Sequence, residues 1–548
     1  MPKSLLNGCA ALSLAAFIHC AAAEPTVVKT TVLGPFTGAD APMHPDNLAP
    51  HKLRYYGTDL GFSYAQDGKI HFLFGDTWAT EAYAPIEKST GASHDDSFGT
   101  IDMSAWPDPS RITPDNMPRI KMGQHAGSSE MAALDPGYVM DLGKTPMGGF
   151  SNGRDEFAIF NIGKPRGCTT DSECGDLSCD TGLGYIGKKP GEQDGTTLSC
   201  MDGSTGCNAD TLFDDNGQSV PGSGMCVSGS SSVWADTQPG RVAGAAMRVI
   251  IGKRSHTDPR KYPQTTEWLT NKFLNVTPRT VQDFVPANEP GYEHQDYSPA
   301  GGQGAHRRVL LWGRPGFVGV GATGRDLGLY FAYVDMPDGP GLDWDVHYYT
   351  GTDAQGRPEF SDNEADAVPL DLDAAEPGVQ TGEAHDVVDQ MSVVWVAHLK
   401  KWIMIYGGGM SSLPKAGLPH CGMTELFSGI ECRSVVTGDG AVRMRSADNP
   451  WGPWTPAQDV IVAGSPDADP PGGQYAPGGV LYHPDCSGKA CAPPTRTKFY
   501  DKREYGFFYA PNIIEQWIRP AGDAVDIIWN ASTWDPYRVV LLRTRIKP

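Results

Sequence analysis

One local pattern recurs five times along this chain of 548 residues: an apolar run, a polar or glycine-containing turn, and a second apolar run. Each copy is predicted to be a β-hairpin, because short apolar runs separated by turn residues are typical of paired strands. No convincing amphipathic helix occurs between the copies. Five such units in one all-β chain predict a single five-bladed β-propeller. The five segments are Gly57–Trp78, Met147–Gly163, Arg307–Met336, Met391–Gly409 and Tyr505–Trp534.

The composition fits this fold and narrows the choice of partners. Glycine and proline are abundant, at 66 and 45 residues, as expected of many short strands joined by turns. Acidic residues outnumber basic ones by 65 to 44, which gives a formal net charge of −21. Nucleic acids and anionic membranes both require clustered positive charge, so the sequence argues against either as a partner. A neutral or cationic substrate fits better, and the oligomeric state is left open.

Residues 1–23 are predicted to be an export signal rather than part of the fold. Lys3 supplies the positive start, Leu12–Ile18 the apolar stretch, and Ala21–Ala23 the small-residue cleavage site. The apolar stretch is too short to span a bilayer, and no later segment is long and apolar enough to do so. We therefore expect a secreted or periplasmic protein whose mature part, residues 24–548, forms the propeller.

The cysteines agree with export. Without Cys9 and Cys20 of the signal, ten remain, and an even number in an exported chain predicts disulfides and no free thiol. Two close pairs, Cys421–Cys432 and Cys486–Cys491, are expected to be local bridges. A zinc site is the alternative for the other six, but they include no CxxC pair and no histidine lies among them. These six are Cys168, Cys174, Cys179, Cys200, Cys207 and Cys226.

Residues 163–229, which contain the six grouped cysteines, interrupt the hairpin pattern. They are rich in Gly, Asp and Ser and poor in apolar residues, so they cannot build a core without their bridges. We predict a disulfide-stapled insertion between the second and third blades. Its simplest interpretation is a surface loop stiffened against proteolysis.

The first hairpin carries one aspartate at each end. Asp67-Gly68 is the strongest short-range signal for a two-residue hairpin turn, because a type I′ turn needs positive φ at both central positions. That turn pairs Gln66 with Lys69, and the same register carried outward pairs Asp59 with Asp76. We therefore expect the two carboxylates to face each other directly, with Cβ atoms about 4.5–5.5 Å apart.

Like charges in directly opposite positions destabilise a sheet, so something must offset the repulsion. A shared proton, a bound cation or a bound substrate would do so. Two coupled carboxyl groups, one of them with a raised pKa, are what a general acid and base require near neutral pH. A structural cation site, or two side chains turned apart into loop hydrogen bonds, explains the same pattern, and the hairpin alone does not decide between them.

Four segments resemble the signature sequences of a secreted family that was long known only as a domain of unknown function. They are "YYGTDLGFSYAQDGKIHFLFGDTW", "SVVWVAHLKKWIMIYGG", "NPWGPWT" and "YGFFYAPNIIEQW…STWDPYRVVLLRTRI". That family is now associated with the endo-D-arabinanases of glycoside hydrolase family 183. The resemblance runs from about Tyr55 to Ile546 and omits the cysteine-rich insertion, which is a departure from the family pattern.

The resemblance implies a five-bladed propeller with its active site at the funnel mouth of the central channel. It also implies an endo-acting hydrolase of a furanose polysaccharide such as D-arabinan. We expect no required cofactor, with a structural cation as the alternative. By motif, the catalytic aspartate pair falls on Asp59 of "GTDLG" and Asp76 of "FGDTW". If the insertion overhangs the funnel, the substrate of the family no longer predicts the substrate of this chain.

Further candidates for substrate contact lie near the hairpins. His94 and Asp96, with Asp95 and Asp102, are placed in a loop just after the first hairpin, and such loops often line the mouth of a propeller. Trp78 is a candidate for stacking on a sugar ring or for core packing. A second cluster precedes the fourth hairpin. It consists of Glu383, His385, Asp386 and Asp389. A solvated loop is the alternative interpretation of both clusters, and Trp451 and Trp454 are predicted to be packing residues.

Other chemistries find little support. The sequence holds no G-x-S-x-G elbow, no H-E-x-x-H and no phosphate loop, and "GVGATG" at 319–324 lacks the strand-turn-helix context of a dinucleotide site. Two alternatives to a glycosidase stay open. One is a propeller that binds carbohydrate or a structural cation without cleavage, and the other is a different propeller hydrolase, such as a sialidase or phosphodiesterase.

The stereochemical outcome of cleavage depends on the separation of the two carboxyl groups. Retaining enzymes hold them about 5–5.5 Å apart and inverting enzymes about 6.5–9.5 Å apart. Direct cross-strand pairing of Asp59 and Asp76 favours the shorter distance. Side chains that splay apart, or a third carboxylate from a neighbouring loop, would give the longer one.

Overall fold

The protein is described from a computed structural model. The described residues are 24–38, 41, 57–77, 95–122, 145–165, 167–174, 178–180, 224–227, 247–255, 264–287, 289–299, 306–314, 328–336, 342–372, 388, 390–407, 412–414, 434–436, 441–462, 474, 479–481, 508–533 and 537–548.

The first two blades are antiparallel sheets of four strands each. The chain opens with Thr26–Pro35 (β1), which belongs to the last blade. Blade one contains Leu60–Gln66 (β2), Lys69–Thr77 (β3), Asp95–Asp102 (β4) and Lys121–Met122 (β5). Blade two contains Thr145–Ser151 (β6), Glu156–Pro165 (β7), Met247–Lys253 (β11) and Gln264–Thr270 (β12). Between β7 and β11 the chain forms a separate small sheet from Gly167–Cys168 (β8), Ser178–Asp180 (β9) and Gly224–Val227 (β10).

The remaining three blades have four or five strands. Blade three contains Asn275–Val281 (β13), Arg308–Arg314 (β14), Tyr330–Asp335 (β15), Val346–Thr352 (β16) and Pro358–Ser361 (β17). Blade four contains Met391–Val396 (β18), Lys401–Gly407 (β19), Ala441–Ala447 (β22) and Gln458–Val462 (β23), with the separate pair Ser412–Pro414 (β20) and Ser434–Val436 (β21) between them. Blade five contains Phe508–Ile513 (β24), Arg519–Ala521 (β25), Ala524–Thr533 (β26) and Arg538–Lys547 (β27), and β1 completes it.

The five sheets form a closed ring, so the predicted five-bladed β-propeller is confirmed. The innermost strands β2, β6, β13, β18 and β24 contact one another in that order, and β24 returns to β2. The ring is fastened where β1 pairs antiparallel with β27, from Thr26 opposite Lys547 to Pro35 opposite Val540. The first and last strands of the described chain therefore share one blade.

Apolar side chains fill the space between adjacent blades. Trp312 of blade three meets Trp402 of blade four with ring centroids 5.3 Å apart, and both are fully buried. Trp451 and Trp454 lie in the same cluster, so their predicted packing role is confirmed. Burial of many large apolar side chains between flat sheets supplies the main stabilisation of such a ring.

Helical structure is limited to short 3₁₀ turns in the described ranges, and none could cross a bilayer. These turns are Met103–Ala105, Pro109–Arg111, Asp171–Glu173, Glu364–Asp366 and Glu515–Trp517. The hairpin predictions correspond to β2–β3, β6–β7, β14–β15, β18–β19 and β24–β26. The third hairpin differs from the others because it forms the middle of its blade rather than the innermost pair.

The predicted position of the cysteine-rich insertion is wrong. Strands β8–β10 lie between β7 and β11, which pair with each other inside blade two, so the excursion leaves the middle of a blade rather than joining two blades. The hairpin pattern could not show this, because it marks paired strands and not which strand follows a long connection. The disulfide prediction is confirmed for Cys168–Cys179 and Cys174–Cys226.

Several predictions lie outside the described residues. Among the cysteines these are Cys200, Cys207, Cys421, Cys432, Cys486 and Cys491, and the export signal at 1–23 also lies outside. Cys168, Cys174 and Cys179 have their sulfur atoms close together, as a metal site would, but all three are in disulfides. Their geometry therefore supports bridges rather than zinc.

Candidate active site

The first hairpin has the predicted turn but not the predicted register. Gln66 lies opposite Lys69, and Asp67 and Gly68 have φ of 50° and 73°. Further out, a β-bulge intervenes: Phe62 lies opposite Leu73, but Leu60 lies opposite Phe74. Gly61 is therefore the extra residue, and every position beyond it moves by one.

The predicted direct pairing of Asp59 with Asp76 is consequently wrong. The carbonyl of Asp59 accepts a hydrogen bond from the N–H of Gly75 at 3.2 Å, so Asp59 lies opposite Gly75. Asp76 follows one residue later and lies opposite Asp96 of β4 instead. The like-charge relationship expected between Asp59 and Asp76 thus holds, in the backbone register, between Asp76 and Asp96.

Blade five holds the bulge in place. Leu60 and Gly61 both have positive φ, 64° and 79°, which is rare for leucine. The N–H of Leu60 donates to Ser532 Oγ at 2.7 Å, and its carbonyl accepts from Asn530 Nδ2 at 3.1 Å. The carbonyl of Gly61 accepts from Asn512 Nδ2 at 3.2 Å. These side chains bind the strained backbone groups and thereby fix the direction in which the preceding aspartate points.

The carboxylate of Asp59 has little freedom. Its Oδ2 accepts a hydrogen bond of 2.8 Å from the hydroxyl of Tyr509, a buried residue on β24. On the other side, a Cβ placed on Gly75 would come within 3.0 Å of Asp59 Oδ1. Only glycine at position 75 therefore leaves room for this carboxylate.

Asp96 lies close to the same end of the first hairpin, opposite Asp76 in the sheet. The segment Asp95–Asp102 forms strand β4, so its predicted placement in a loop is wrong. Asp96 is 5% exposed, which excludes a solvated loop residue. Asp102 lies at the other end of the strand, opposite Lys69, and is exposed. The alternation of apolar and polar residues in "DDSFGTID" is too weak to distinguish a strand from a polar loop.

A chain of hydroxyl groups ties the three aspartate-bearing segments together. Thr58 Oγ1 lies 2.8 Å from Thr77 Oγ1, which lies 2.7 Å from Ser97 Oγ. Thr77 also donates to the carbonyl of Gly75 at 2.8 Å, and Thr58 Oγ1 lies 3.3 Å from the same oxygen. Each of the three hydroxyl residues is the sequence neighbour of one aspartate, so the network orders the backbone on which Asp59, Asp76 and Asp96 sit.

The three segments meet at one end of the propeller. Strand β2 begins there, β3 ends there and β4 begins there, and β24 begins nearby, with Tyr509 as its second residue. We call this end, where the innermost strands begin, the upper mouth. The structure thus brings together Asp59, Asp96 and the backbone of Asp76. The other predicted contacts, Trp78, His94, Glu383, His385, Asp386 and Asp389, lie outside the described residues.

Sequence reasoning missed Tyr509 and the hydroxyl chain. A hydroxyl residue beside each aspartate, in "TD", "DT" and "DS", was a visible signal for the chain. Nothing local in "GFFYAPN" marks Tyr509 as a partner of a residue 450 positions away. Carboxylates held by hydroxyls and by a tyrosine can serve proton transfer to a bound substrate, and carboxylate oxygens are also ligands of hard cations.

Comparison with known proteins gives only distant similarities. Neither a protein-family model nor a curated protein matches the chain. A candidate hydrolase from Bacteroides ovatus is 9% identical, with 90% of this chain and 86% of that chain covered and a TM-score of 0.35. An exo-β-1,3-galactanase from Phanerochaete chrysosporium is 8% identical, with coverages of 94% and 64% and a TM-score of 0.31. An exo-1,5-α-L-arabinanase from a bovine ruminal metagenomic library is 8% identical, with coverages of 90% and 94% and a TM-score of 0.27.

At these values the similarities bear on neither family nor substrate, and the fold follows from the strand pairing itself. The resemblance to the endo-D-arabinanases therefore stays a prediction.

Proposed function

We propose that this chain is a secreted glycoside hydrolase that cleaves within a furanose polysaccharide such as D-arabinan, with Asp59 and Asp76 as its acid and base. The observation that carries the proposal is the fixed position of Asp59, between the hydroxyl of Tyr509 and the bare backbone of Gly75, at the mouth of a propeller channel. Glycosidic cleavage needs two carboxyl groups held at a defined separation, one to protonate the leaving oxygen. Export through residues 1–23 is part of the proposal.

Asp96 is the natural third carboxylate of this site. It is buried and lies opposite Asp76 in the sheet register, where Cβ atoms are typically about 4.5–5.5 Å apart. Repulsion between two such carboxylates is relieved when one holds a proton, which is the state a general acid needs. In this scheme Asp96 positions and tunes Asp76, while Asp59 acts from the neighbouring strand.

The corrected register changes the expectation for stereochemistry. Direct pairing of Asp59 with Asp76 was the reason to favour the short separation of retaining enzymes, and the bulge removes that reason. A diagonal arrangement with a third carboxylate supports the longer separation, which leaves room for an attacking water. Trp78, His94, Glu383, His385 and Asp386 stay predicted substrate contacts around the same mouth.

Activity against a panel of arabinans tests the proposal. Purified protein should release oligosaccharides, and Asp59→Asn and Asp76→Asn should each lower turnover by a factor on the order of 10² or more, the usual scale for loss of a general acid or base. Asp102→Asn is the matched control, because Asp102 is an exposed aspartate of the same blade at the other end of β4. Full activity of either Asp59→Asn or Asp76→Asn would contradict the proposal.

The alternative is a propeller that binds a sugar or a structural cation without cleaving anything. Melting temperature separates the two functions. At a catalytic site, Asp76→Asn should keep or raise the melting temperature, since repulsion between positions 76 and 96 falls. A cation site should lose stability on the same substitution, and EDTA treatment of the unchanged protein should lower its melting temperature as well.

A further inference from the structure

Strand β3 contains an extra residue at Gly75. On the β4 side, Phe74 lies opposite Ser97 but Asp76 lies opposite Asp96, so Gly75 has no counterpart in β4. This is a second β-bulge of the first blade, distinct from the one in β2. A bulge leaves its extra residue outside the regular hydrogen-bond ladder and redirects the backbone that follows it. The residue that follows this bulge is Asp76, one of the two proposed catalytic carboxylates.

Thr77 supplies the hydrogen bond that this bulge requires. Gly75 is buried, and its carbonyl accepts a hydrogen bond of 2.8 Å from Thr77 Oγ1, two residues further along the same strand. Thr77 is itself buried. A buried carbonyl without a donor is strongly disfavoured. The hydroxyl of Thr77 therefore holds the bulge in the conformation that places Asp76 opposite Asp96.

This bond also assigns the hydrogen atoms of the hydroxyl chain. A hydroxyl group has one O–H and two lone pairs, and the single O–H of Thr77 is directed at the carbonyl of Gly75, the shorter of the two hydroxyl contacts to that oxygen. Thr58 Oγ1, at 2.8 Å, and Ser97 Oγ, at 2.7 Å, then both donate to Thr77 Oγ1. Thr77 thus uses its full capacity of one donated and two accepted hydrogen bonds. It is the centre of the chain, and its neighbours depend on it.

Gly75 joins the two proposed catalytic residues through its backbone. Its N–H donates to the carbonyl of Asp59 at 3.2 Å, and a Cβ on Gly75 would come within 3.0 Å of Asp59 Oδ1. Its carbonyl belongs to the peptide group that it shares with Asp76, and this carbonyl is held by Thr77. One side of Gly75 is thus fixed against Asp59, and the other side determines where Asp76 begins. The relative position of the two aspartates therefore depends on the hydrogen bond from Thr77.

We propose that Thr77 is a positioning residue of the site at the upper mouth, and that it sets the separation of Asp59 and Asp76 through the Gly75 bulge. Its kinetic consequence rests on the proposed hydrolytic function. Glycosidic cleavage needs two carboxyl groups at a defined separation, and a misplacement of about 1 Å can cost a factor on the order of 10² in rate. Because Thr77 acts through the backbone and not on the substrate, its loss should lower kcat and leave KM nearly unchanged.

Steady-state kinetics on arabinan test the role of the hydroxyl. Thr77→Val nearly retains the shape of the side chain and removes its O–H, so kcat should fall by about tenfold or more while KM changes by less than about threefold. Thr77→Ser keeps the O–H and should retain at least about a third of the kcat of the unchanged protein. Equal losses of kcat in the two variants would show that packing matters and the hydroxyl does not, and would overturn the proposal.

Thr544→Val is the matched control for loss of a buried hydroxyl. Thr544 is a fully buried residue of β27, in the outer part of blade five. Its hydroxyl accepts from Trp529 Nε1 at 2.9 Å and lies 2.8 Å from Thr30 Oγ1. Thr544→Val should lower the urea midpoint of unfolding, as Thr77→Val does, with kcat unchanged. A loss of kcat in Thr77→Val no larger than that in Thr544→Val would also overturn the proposal.

A double-mutant cycle in urea tests the positioning role without substrate. Asp76→Asn removes the charge opposite Asp96, and the resulting change in the urea midpoint should shrink by about half or more in the Thr77→Val background, because the bulge no longer holds the two positions together. The change should stay the same in the Thr544→Val background. This coupling in a protein that cleaves no arabinan would refute the proposed function and keep the positioning role. Equal changes in all backgrounds, including no change in any, would overturn that role.

Discussion

The hydroxyl of Tyr509 donates a 2.8 Å hydrogen bond to Asp59, and each of these two residues adjoins a non-glycine residue with positive φ. Leu60 follows Asp59 with φ of 64°, and Ala510 follows Tyr509 with φ of 47°. Both lie at β-bulges, one in β2–β3 and one in β24–β26. Such conformations cost about 1–3 kcal/mol each and persist where the surroundings enforce them, often at functional sites. The paired strain supports the upper mouth as the place of function.

Tyr509→Phe should reduce activity more than stability. The variant keeps the aromatic ring in its apolar cluster but removes the donor to Asp59, which should lower turnover by about tenfold to a hundredfold. The free energy of unfolding should fall by about 1 kcal/mol, the usual net value of one hydrogen bond. Steady-state kinetics and urea unfolding measure the two effects.

Tyr348→Phe is the matched control for that variant. Tyr348 belongs to the same apolar cluster, and its hydroxyl accepts from Trp268 Nε1 at 3.0 Å, between β16 of blade three and β12 of blade two. Its loss should lower stability by a similar amount with turnover unchanged. Equal turnover losses in the two variants would show that Tyr509 has no special role at Asp59.

Gly75→Ala should displace the carboxylate of Asp59. The new methyl group would come within 3.0 Å of Asp59 Oδ1, so the side chain must move and turnover should fall by about 10² or more. Gly407 is the equivalent position of blade four, where its N–H donates to the carbonyl of Gln390 at 3.1 Å. A methyl group there makes only ordinary contacts beyond 3.4 Å, so Gly407→Ala should keep its activity. Comparable activity of both variants would contradict the assigned position of Asp59.

The sequence was sufficient for features that depend on local chemistry. The Asp67-Gly68 turn formed as predicted because two adjacent residues determine it. The bulge at Gly61 could not be predicted, since its backbone is held by Asn512, Asn530 and Ser532, more than 440 positions away in the chain. A one-residue slip in register moves a residue to the other face of a strand, so this distant contact decided which aspartates oppose each other.

The acid sensitivity of the protein should depend in part on His71. Burial lowers the pKa of this residue to about 4; Glu156 opposes the shift and Arg254 reinforces it. Between pH 6.5 and 4 the unfolded chain takes up a proton that the folded protein excludes. The stabilisation is therefore complete above pH 6.5 and is lost as the pH falls towards 4, with a full size of about 3 kcal/mol.

Urea unfolding at pH 7.5 and pH 5 measures this effect. His71→Phe retains an aromatic ring to stack on Tyr64, whose centroid lies 5.0 Å away, but cannot titrate. Its loss of stability between the two pH values should be smaller than that of the unchanged protein. His294→Gln is the control, because His294 is largely exposed. If both variants show the same pH dependence as the parent, His71 does not contribute.

Glu364 should have the opposite effect on the pH dependence of stability, because its contribution is lost as the pH rises. Burial raises the pKa of its carboxyl to about 7, although hydrogen bonds from Asn271, Lys272 and Thr270 oppose the shift. The folded protein thus holds a proton that the unfolded chain has lost, so this contribution to stability is present below pH 4.5 and disappears as the pH rises through 7. All three hydrogen bonds end on Oε1, which the carbonyl of a glutamine can replace.

Glu364→Gln should therefore match the parent at pH 5 and exceed it at pH 8.5 by about 1–2 kcal/mol. This is less than the full pKa change implies, because the side chain is only partly buried and water screens it. Chemical unfolding at the two pH values provides the measurement, with the exposed Glu293→Gln as control. A variant less stable than the parent at pH 8.5 would mean that the charged carboxylate is the stabilising form, held by its three donors and by the ammonium group of Lys272.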